Sequence, residues 1–258
     1  MSHILLDPDA RPVIAHRGAS GRAPENTLAS FTLGLREGAD ALELDVRVSA
    51  DGVPIVLHDP TLDRTTDATG EVALLPLERI RAADAGARFT LDAGRTFPFR
   101  GQGLRVPTLE EVLDAFPAVP ILIEIKTASA CEAVARVLRE RDAAERCLLM
   151  SFDDAAVRAF RAAPWLTGAT GSETLALIRS TLLRRRCPPP AYRAFSVPER
   201  HRGIPLPLRV LAAAARALGS PVHVWTVDSP ERARRLWKKG IAGIITNYPR
   251  EMVEARGA

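Results

Sequence analysis

Ala41-Leu42-Glu43-Leu44-Asp45-Val46-Arg47-Val48 alternates as a buried strand does, yet two of its inward-ranking positions are carboxylates. Strand geometry puts Glu43 and Asp45 on one face with backbones about 6.6 Å apart. Burying two anions side by side is costly unless a cation or a shared proton compensates. Pro120 to Lys126 repeats the pattern, with Glu124 and Lys126 flanking Ile125. Outward from these two strands, strand-like and helix-like segments take turns along the chain. Strands centred on Ile14, Leu44, Ile123, Leu149, Thr167, Phe195, Val224 and Ile245 are each followed by a helical segment. Eight such units in about 250 residues define a (β/α)8 barrel, an α/β TIM-barrel fold. A doubly wound open sheet would need a phosphate-binding glycine turn after the first strand, and Gly18-Ala19-Ser20-Gly21 lacks that spacing.

A barrel demands that groups capable of chemistry sit at the carboxyl-terminal ends of its strands. His16 and Arg17 end the first, Glu43 and Asp45 the second, with His58 on its extension after the Ser49–Gly52 turn. Glu124 and Lys126 end the third, Trp225 and Asp228 the seventh, and Asn247 follows the eighth. Helix ends are marked as well. Thr108 followed by Glu111 is a capping box opening a helix to Phe116, and Gly38, Gly219 and Gly240 stop the helices before them. The helix after the first strand is predicted from Glu25 to Glu37, another from Ser172 to Arg185. The stretch from Pro60 to Val106 fits no such unit.

The 258 residues are 47% hydrophobic and 26% charged, the composition of an ordinary globular protein, which excludes disordered and collagen-like classes. Apolar runs such as Val53–Leu57 are far short of the roughly 20 residues needed to span a bilayer, so no transmembrane segment is expected. The N-terminus has no signal-peptide pattern, and a cytoplasmic location is expected. Cys131, Cys147 and Cys187 are odd in number and lack metal or redox spacing, as reduced structural thiols would. Net charge is +4, from 35 basic and 31 acidic residues, nearly all the basic ones arginine. They are interleaved with acids, so no nucleic-acid partner is expected. The exception is Arg184-Arg185-Arg186, which reads as a solvated helix end with some capacity for a membrane surface.

Three carboxylates, Glu43, Asp45 and Glu124, converging on one mouth suit a hard divalent cation, calcium or magnesium, better than zinc. The alternative is a buried ion-pair network with Arg17 and Lys126. His16 and His58 can work as base and acid in one cycle. Arg17 offers a planar fork for oxyanions and Lys126 a point charge. With no activated serine or cysteine nearby, this set suits a phosphodiester. His201 is expected to be solvated, and His223 to be structural or to line the barrel.

His16-Arg17-Gly18, Pro24-Glu25-Asn26-Thr27, Glu43-Leu44-Asp45-Val46, His58-Asp59, Leu62-Asp63-Arg64-Thr65-Thr66, Pro107-Thr108-Leu109-Glu110-Glu111, Glu124-Ile125-Lys126 and Val224-Trp225-Thr226-Val227 together resemble the glycerophosphodiester phosphodiesterases, in order and across nearly the whole chain. The resemblance implies a single barrel domain over 1–258 with residues 60–106 as a small insertion after the second strand, shaping the substrate entrance. It implies Glu43, Asp45 and Glu124 as metal ligands and His16 and His58 as the acid/base pair. Arg17 would clamp phosphate, Lys126 would contact phosphate or glycerol, Trp225 would pack on glycerol carbons, and Asn26 would support the site. The expected reaction is metal-dependent hydrolysis of a small-molecule glycerophosphodiester to sn-glycerol 3-phosphate and an alcohol. The alternatives are a lysophospholipase D, favoured by the apolar stripe and arginines of residues 172–186, and a barrel that binds phosphorylated ligands without turnover. Two positions depart from the family: Asn247 stands where aspartate is frequent, and Asp228 where asparagine is.

Overall fold

The computed structural model describes residues 3–185 and 190–257. Arg186 and Cys187 lie outside the described residues, so the basic triplet is followed only through Arg185.

Strand β1 (Val13–His16) leads through a loop to α1 (Leu28–Arg36), and β2 (Ala41–Val48) is paired antiparallel to the short β3 (Pro54–Val56). Two short helical segments follow, a 3-10 turn at Val72–Leu74 and α2 (Leu77–Arg81). The alternation then runs α3 (Leu109–Ala115), β4 (Ile121–Ile125), α4 (Cys131–Glu140), β5 (Cys147–Met150), α5 (Asp154–Arg158), β6 (Leu166–Thr167) and α6 (Gly171–Leu182). It continues with β7 (Phe195–Pro198), the hairpin of β8 (Arg200–His201) and β9 (Ile204–Pro205), and α7 (Leu208–Ala217). β10 (Val222–Trp225), α8 (Pro230–Trp237), β11 (Gly243–Thr246) and α9 (Pro249–Gly257) complete the chain.

Eight strands pair in parallel in the order β6-β5-β4-β2-β1-β11-β10-β7. The two ends of that order meet at a parallel bridge between Gly168 and Ala194, where the Ala169 amide donates to the Ala194 carbonyl at 2.8 Å. The sheet therefore curls closed, and the eight predicted strand centres are all in it. The expected TIM barrel is the observed fold.

The two-residue period of a strand sorts the side chains. Residues of one parity, among them Leu42, Leu44, Ile123 and Leu149, are buried against α1, α3 and α4. The other parity points inward and changes character along each strand. Ile14, Ala41, Leu122, Leu148 and Ile245 form a buried apolar floor with Leu5, which a 3-10 turn at Ile4–Leu6 inserts from below. Two or four residues further on, the same parity carries His16, Glu43 and Asp45, Glu124 and Lys126, Trp225 and Asn247. A polar mouth thus stands on an apolar base within one pattern. His223 belongs to the base: it is fully buried, and its Nε2 lies 2.9 Å from the Leu5 carbonyl oxygen, so the structural reading holds. Gly243 is the neighbour that makes room, since a Cβ there would come within 2.2 Å of His223 Nδ1.

Residues 60–106 pack a separate small core, in which Leu62, Val72, Ile80, Ala83, Ala85 and Val106 meet Ile55 and Leu57 of the barrel. The apolar periodicity that marks barrel helices is missing from this stretch because most of it is turns. Helix α1 begins at Leu28, three residues later than predicted. Pro24 to Asn26 belong instead to a loop folded back on β1, where the Asn26 amide donates to the Arg17 carbonyl and Thr27 caps the helix.

Candidate active site

Glu43, Asp45 and Glu124 offer carboxylate oxygens that all lie within 4.8 Å of one another. Register explains the meeting: Asp45 is paired with Glu124 across β2 and β4, and Glu43 stands one inward position below. Asp45 is fully buried and Glu43 nearly so. The Lys126 ammonium sits 2.7 Å from Asp45 Oδ1 and 2.6 Å from Glu124 Oε1, and Arg17 Nε is 3.1 Å from Asp45 Oδ2. The ion-pair network weighed as an alternative is thus present alongside the acidic cluster. Burial works against charge on Asp45, but Lys126 and Arg17 outweigh it and hold that carboxyl below its ordinary value. Burial and then the charge of Asp45 push Glu43 well above the usual carboxylate range. Three acids share two cations, and the raised Glu43 carboxyl registers the negative charge that Lys126 and Arg17 leave uncompensated. An all-oxygen donor set with surplus negative charge fits a hard divalent cation.

Asn26 supports the cluster from the first loop, its Nδ2 donating to Asp45 Oδ2 at 2.8 Å. Both Arg17 and Asn26 hold left-handed backbone, φ 56° and 57°, a conformation that non-glycine residues adopt sparingly. Between them Gly18, at φ 84°, has no room for a Cβ, which would meet Ser30 at 2.4 Å. The loop turns tightly enough to bring the Arg17 amide to Glu43 Oε2 at 3.0 Å while its guanidinium reaches Glu25 at 2.9 Å.

His16 and His58 line one cavity together with Arg17, Glu43, Glu124, Lys126 and Trp225. Their supports differ. His58 Nδ1 lies 2.6 Å from Asp59 Oδ1, and Arg64 grips the other side of that carboxylate at 2.6 Å before reaching Glu25. The Arg64 hydrogen bond is the largest reason that Asp59 sits well below the ordinary carboxylate range. His16 Nδ1 lies 2.7 Å from Asn247 Oδ1, a neutral amide oxygen that also accepts from Ser20. Burial, with the adjacent Arg17 charge, lowers the His16 pKa. The Asn247 amide is held in turn by Asp228, whose carboxylate accepts from Nδ2 at 2.7 Å and from the Asn247 backbone at 2.9 Å. The two family departures noted in the sequence therefore touch each other.

All nine residues singled out from the sequence surround this mouth. Asp59, Arg64, Glu25, Ser20, Asp228 and Asn247 were given no such supporting part there. The aspartate directly after His58 is the one signal that a closer reading could have used. His201 is exposed on the β8–β9 hairpin, as expected, and also borders the outer cavity.

A closed parallel barrel with acids, imidazoles and cations gathered at its carboxyl-terminal mouth defines a TIM-barrel hydrolase of phosphate esters. The sequence profile of the glycerophosphoryl diester phosphodiesterase family matches residues 16–251, and this chain belongs to that family. A glycerophosphodiester phosphodiesterase of Caldanaerobacter subterraneus is 33% identical over 93% of this chain and 96% of its own. One of Bacillus subtilis is 31% identical over 95% and 86%. Among solved structures, the glycerophosphoryl diester phosphodiesterase domain of a Mycobacterium tuberculosis protein superposes with a TM-score of 0.85 at 23% identity, covering 96% of this chain and all of that one. An Oleispira antarctica phosphodiesterase in complex with the product sn-glycerol-3-phosphate superposes at 0.78 and 26% identity, covering 96% and 98%. The chain is an enzyme of the phosphoric diester hydrolase type, which sets aside the binding-only alternative.

Proposed function

We propose that this chain hydrolyses glycerophosphodiesters to sn-glycerol 3-phosphate and an alcohol, with His16 as general base and His58 as general acid. The observation that carries the reading is the placement of both imidazoles in one cavity wall with Glu43 and Glu124. His16 faces a neutral amide through Nδ1, and its lowered pKa keeps it unprotonated and able to accept a proton at Nε2. His58 is backed by an anion, Asp59, which suits the partner that gives a proton to the leaving oxygen. Arg17 and Lys126 supply fixed positive charge for the phosphate oxygens, and Trp225 a flat apolar surface for the glycerol carbons. Glu43, Asp45 and Glu124 would hold one calcium or magnesium ion, which neutralises charge on the phosphate when bound. Asn26 keeps Asp45 in place.

The domain reading is a single barrel over 1–258 with residues 60–106 as its insertion, and the separate core of that segment supports it. The partner is a small molecule. Among the described residues no helix is long and apolar enough to cross a membrane. Cys131 and Cys147 are buried free thiols, which suits the reducing cytoplasm.

The test is steady-state hydrolysis of glycerophosphocholine with calcium or magnesium added. Release of glycerol 3-phosphate is expected, and His16→Ala and His58→Ala are each expected to lower kcat by about 10²- to 10⁴-fold. Unchanged turnover in either variant would remove that histidine from the chemistry.

A further inference from the structure

Arg64 belongs to the segment 60–106, yet its guanidinium sits between two parts of the catalytic mouth. It stands on a tight turn whose ends are both fixed. Leu62 and Thr66 are fully buried, the Thr66 amide donates to the Leu62 carbonyl at 3.1 Å, and Asp63 accepts from the Gly70 amide at 3.2 Å. From that turn one edge of the guanidinium takes Asp59, Nε donating to Oδ2 at 2.6 Å and Nη2 to Oδ1 at 3.1 Å. The other edge takes Glu25, Nη1 donating to Oε2 at 2.7 Å and Nη2 to Oε1 at 2.8 Å. Each carboxylate has a second partner in the site. Asp59 Oδ1 also lies 2.6 Å from His58 Nδ1, and Glu25 Oε1 also accepts from Arg17 Nη1 at 2.9 Å. Burial opposes charge on Glu25, and the hydrogen bond from Arg64 is the strongest of the effects that outweigh it and lower its pKa.

Arg17 and Arg64 against Glu25 and Asp59 make this row neutral. Without Arg64 the two carboxylates carry one charge more than Arg17 offsets, at the edge of a mouth that must admit an anionic phosphodiester. Glu25 would then turn its whole charge on Arg17 and compete with the phosphate oxygens for it. Asp59 would lose the donors that fix it, and His58 would lose a rigid backing. A planar fork with donors on two edges can hold both carboxylates at once, which a compact ammonium does not. We propose that Arg64 is a positioning residue for the reaction: it braces Asp59 behind His58 and, by sharing Glu25, keeps Arg17 available to the phosphate. This rests on the roles proposed above for His58 and Arg17, and it gives the inserted segment a part in the chemistry beyond shaping the entrance. The Arg64 side chain is 47% exposed, and exposed ion pairs add little to stability. Its weight is therefore expected in kinetics more than in folding.

The experiment measures kcat and KM for glycerophosphocholine, with a divalent cation present, in the full chain as wild type, R64M, E25Q and R64M/E25Q, and records a thermal melt of each. R64M is expected to lower kcat about 10- to 100-fold, as loosening a catalytic group by about an ångström does, and to raise KM about tenfold. Its Tm is expected to stay within about 3 °C of the wild type. Adding E25Q removes the charge that competes for Arg17 while leaving a side-chain oxygen to accept from it. R64M/E25Q is therefore expected to bring KM back to within about threefold of the wild type and to leave kcat low, because Asp59 still lacks its brace. A merely structural arginine would not separate the two constants in this way. Both constants of R64M within about twofold of the wild type would overturn the proposal. So would a KM that E25Q leaves unrecovered, or kinetic losses that follow a fall in Tm. In those cases a wild type that releases glycerol 3-phosphate keeps the phosphodiesterase reading intact. A wild type that cleaves nothing would overturn that reading and, with it, the part given to Arg64.

Discussion

Asn247 can face His16 in only one way. Asp228 offers acceptors alone, so Asn247 must present its Nδ2 to that carboxylate and its Oδ1 to the imidazole. The imidazole therefore carries its proton on Nδ1 and turns an unprotonated Nε2 to the cavity. Asp228→Ala releases the amide and is expected to lower kcat about 10- to 100-fold, the usual cost of misplacing a catalytic group by about an ångström. The exchanged pair D228N/N247D restores a donor and an acceptor between the two positions and is expected to recover most of the loss. Steady-state rates of the single and double variants decide it, and a double variant as slow as Asp228→Ala would mean that the contact is incidental. The same geometry sets a pH profile. A base must be unprotonated to work, and burial and Arg17 lower the His16 pKa. The acid limb of kcat/KM is thus expected below the ordinary histidine value of about 6.5, with activity persisting into mildly acidic solution. Residue types at strand ends pointed to eight of the nine candidate side chains, and the family resemblance added Asn26. They could not find this support, because Asn247 is 231 positions from His16 and meets it only once β11 lies beside β1.

Helices show the same division between what is local and what is not. The capping box at Thr108 and Glu111 is written in four consecutive residues, and both of its hydrogen bonds form, Thr108 Oγ1 accepting from the Glu111 amide at 3.1 Å and Glu111 Oε2 from the Thr108 amide at 2.9 Å. Thr108→Ala is expected to cost about 1 kcal/mol, which in a chain of this size lowers Tm by roughly 2–4 °C. Thermal melts followed by circular dichroism measure it, with catalysis of the folded enzyme unaffected. The start of α1 was not legible in that way. Glu25 has good helix propensity and sits in phase with the apolar face, but its carboxylate is taken by Arg17 and Arg64. A long-range ion pair thus overrode a local preference, and the loop it stabilises is the one that carries Arg17 and Asn26. The segment 60–106 resisted assignment for a related reason: its core is assembled from single residues spaced along turns, which leaves no period to read.

At the scale of the barrel, catalytic mouth and structural floor respond to solution conditions in different ways. The carboxylate oxygens of Glu43, Asp45 and Glu124 come within 4.8 Å of one another only in the folded chain, so a divalent cation held by them would bind that state alone. Calcium or magnesium at about 100 times its Kd is expected to add roughly 2.7 kcal/mol, a Tm rise of about 5–10 °C that chelation reverses and that Glu43→Gln with Glu124→Gln diminishes. The floor depends on pH through His223. Burial lowers its pKa to about 4, against roughly 6.5 in an unfolded chain. Between those values the unfolded chain holds a proton that the folded one lacks, so stability is complete above about pH 6.5 and falls as the pH drops toward 4. From pH 7 to pH 5 the loss from this one group is about 2 kcal/mol. Replacing it with glutamine keeps a donor for the Leu5 carbonyl oxygen but removes the titration, so His223→Gln should flatten that part of the curve even if it is less stable at pH 7. Urea denaturation at pH 7, 6 and 5 measures the slope directly. Parallel curves for the two proteins would mean that the floor stays dry and neutral without His223 governing its acid sensitivity.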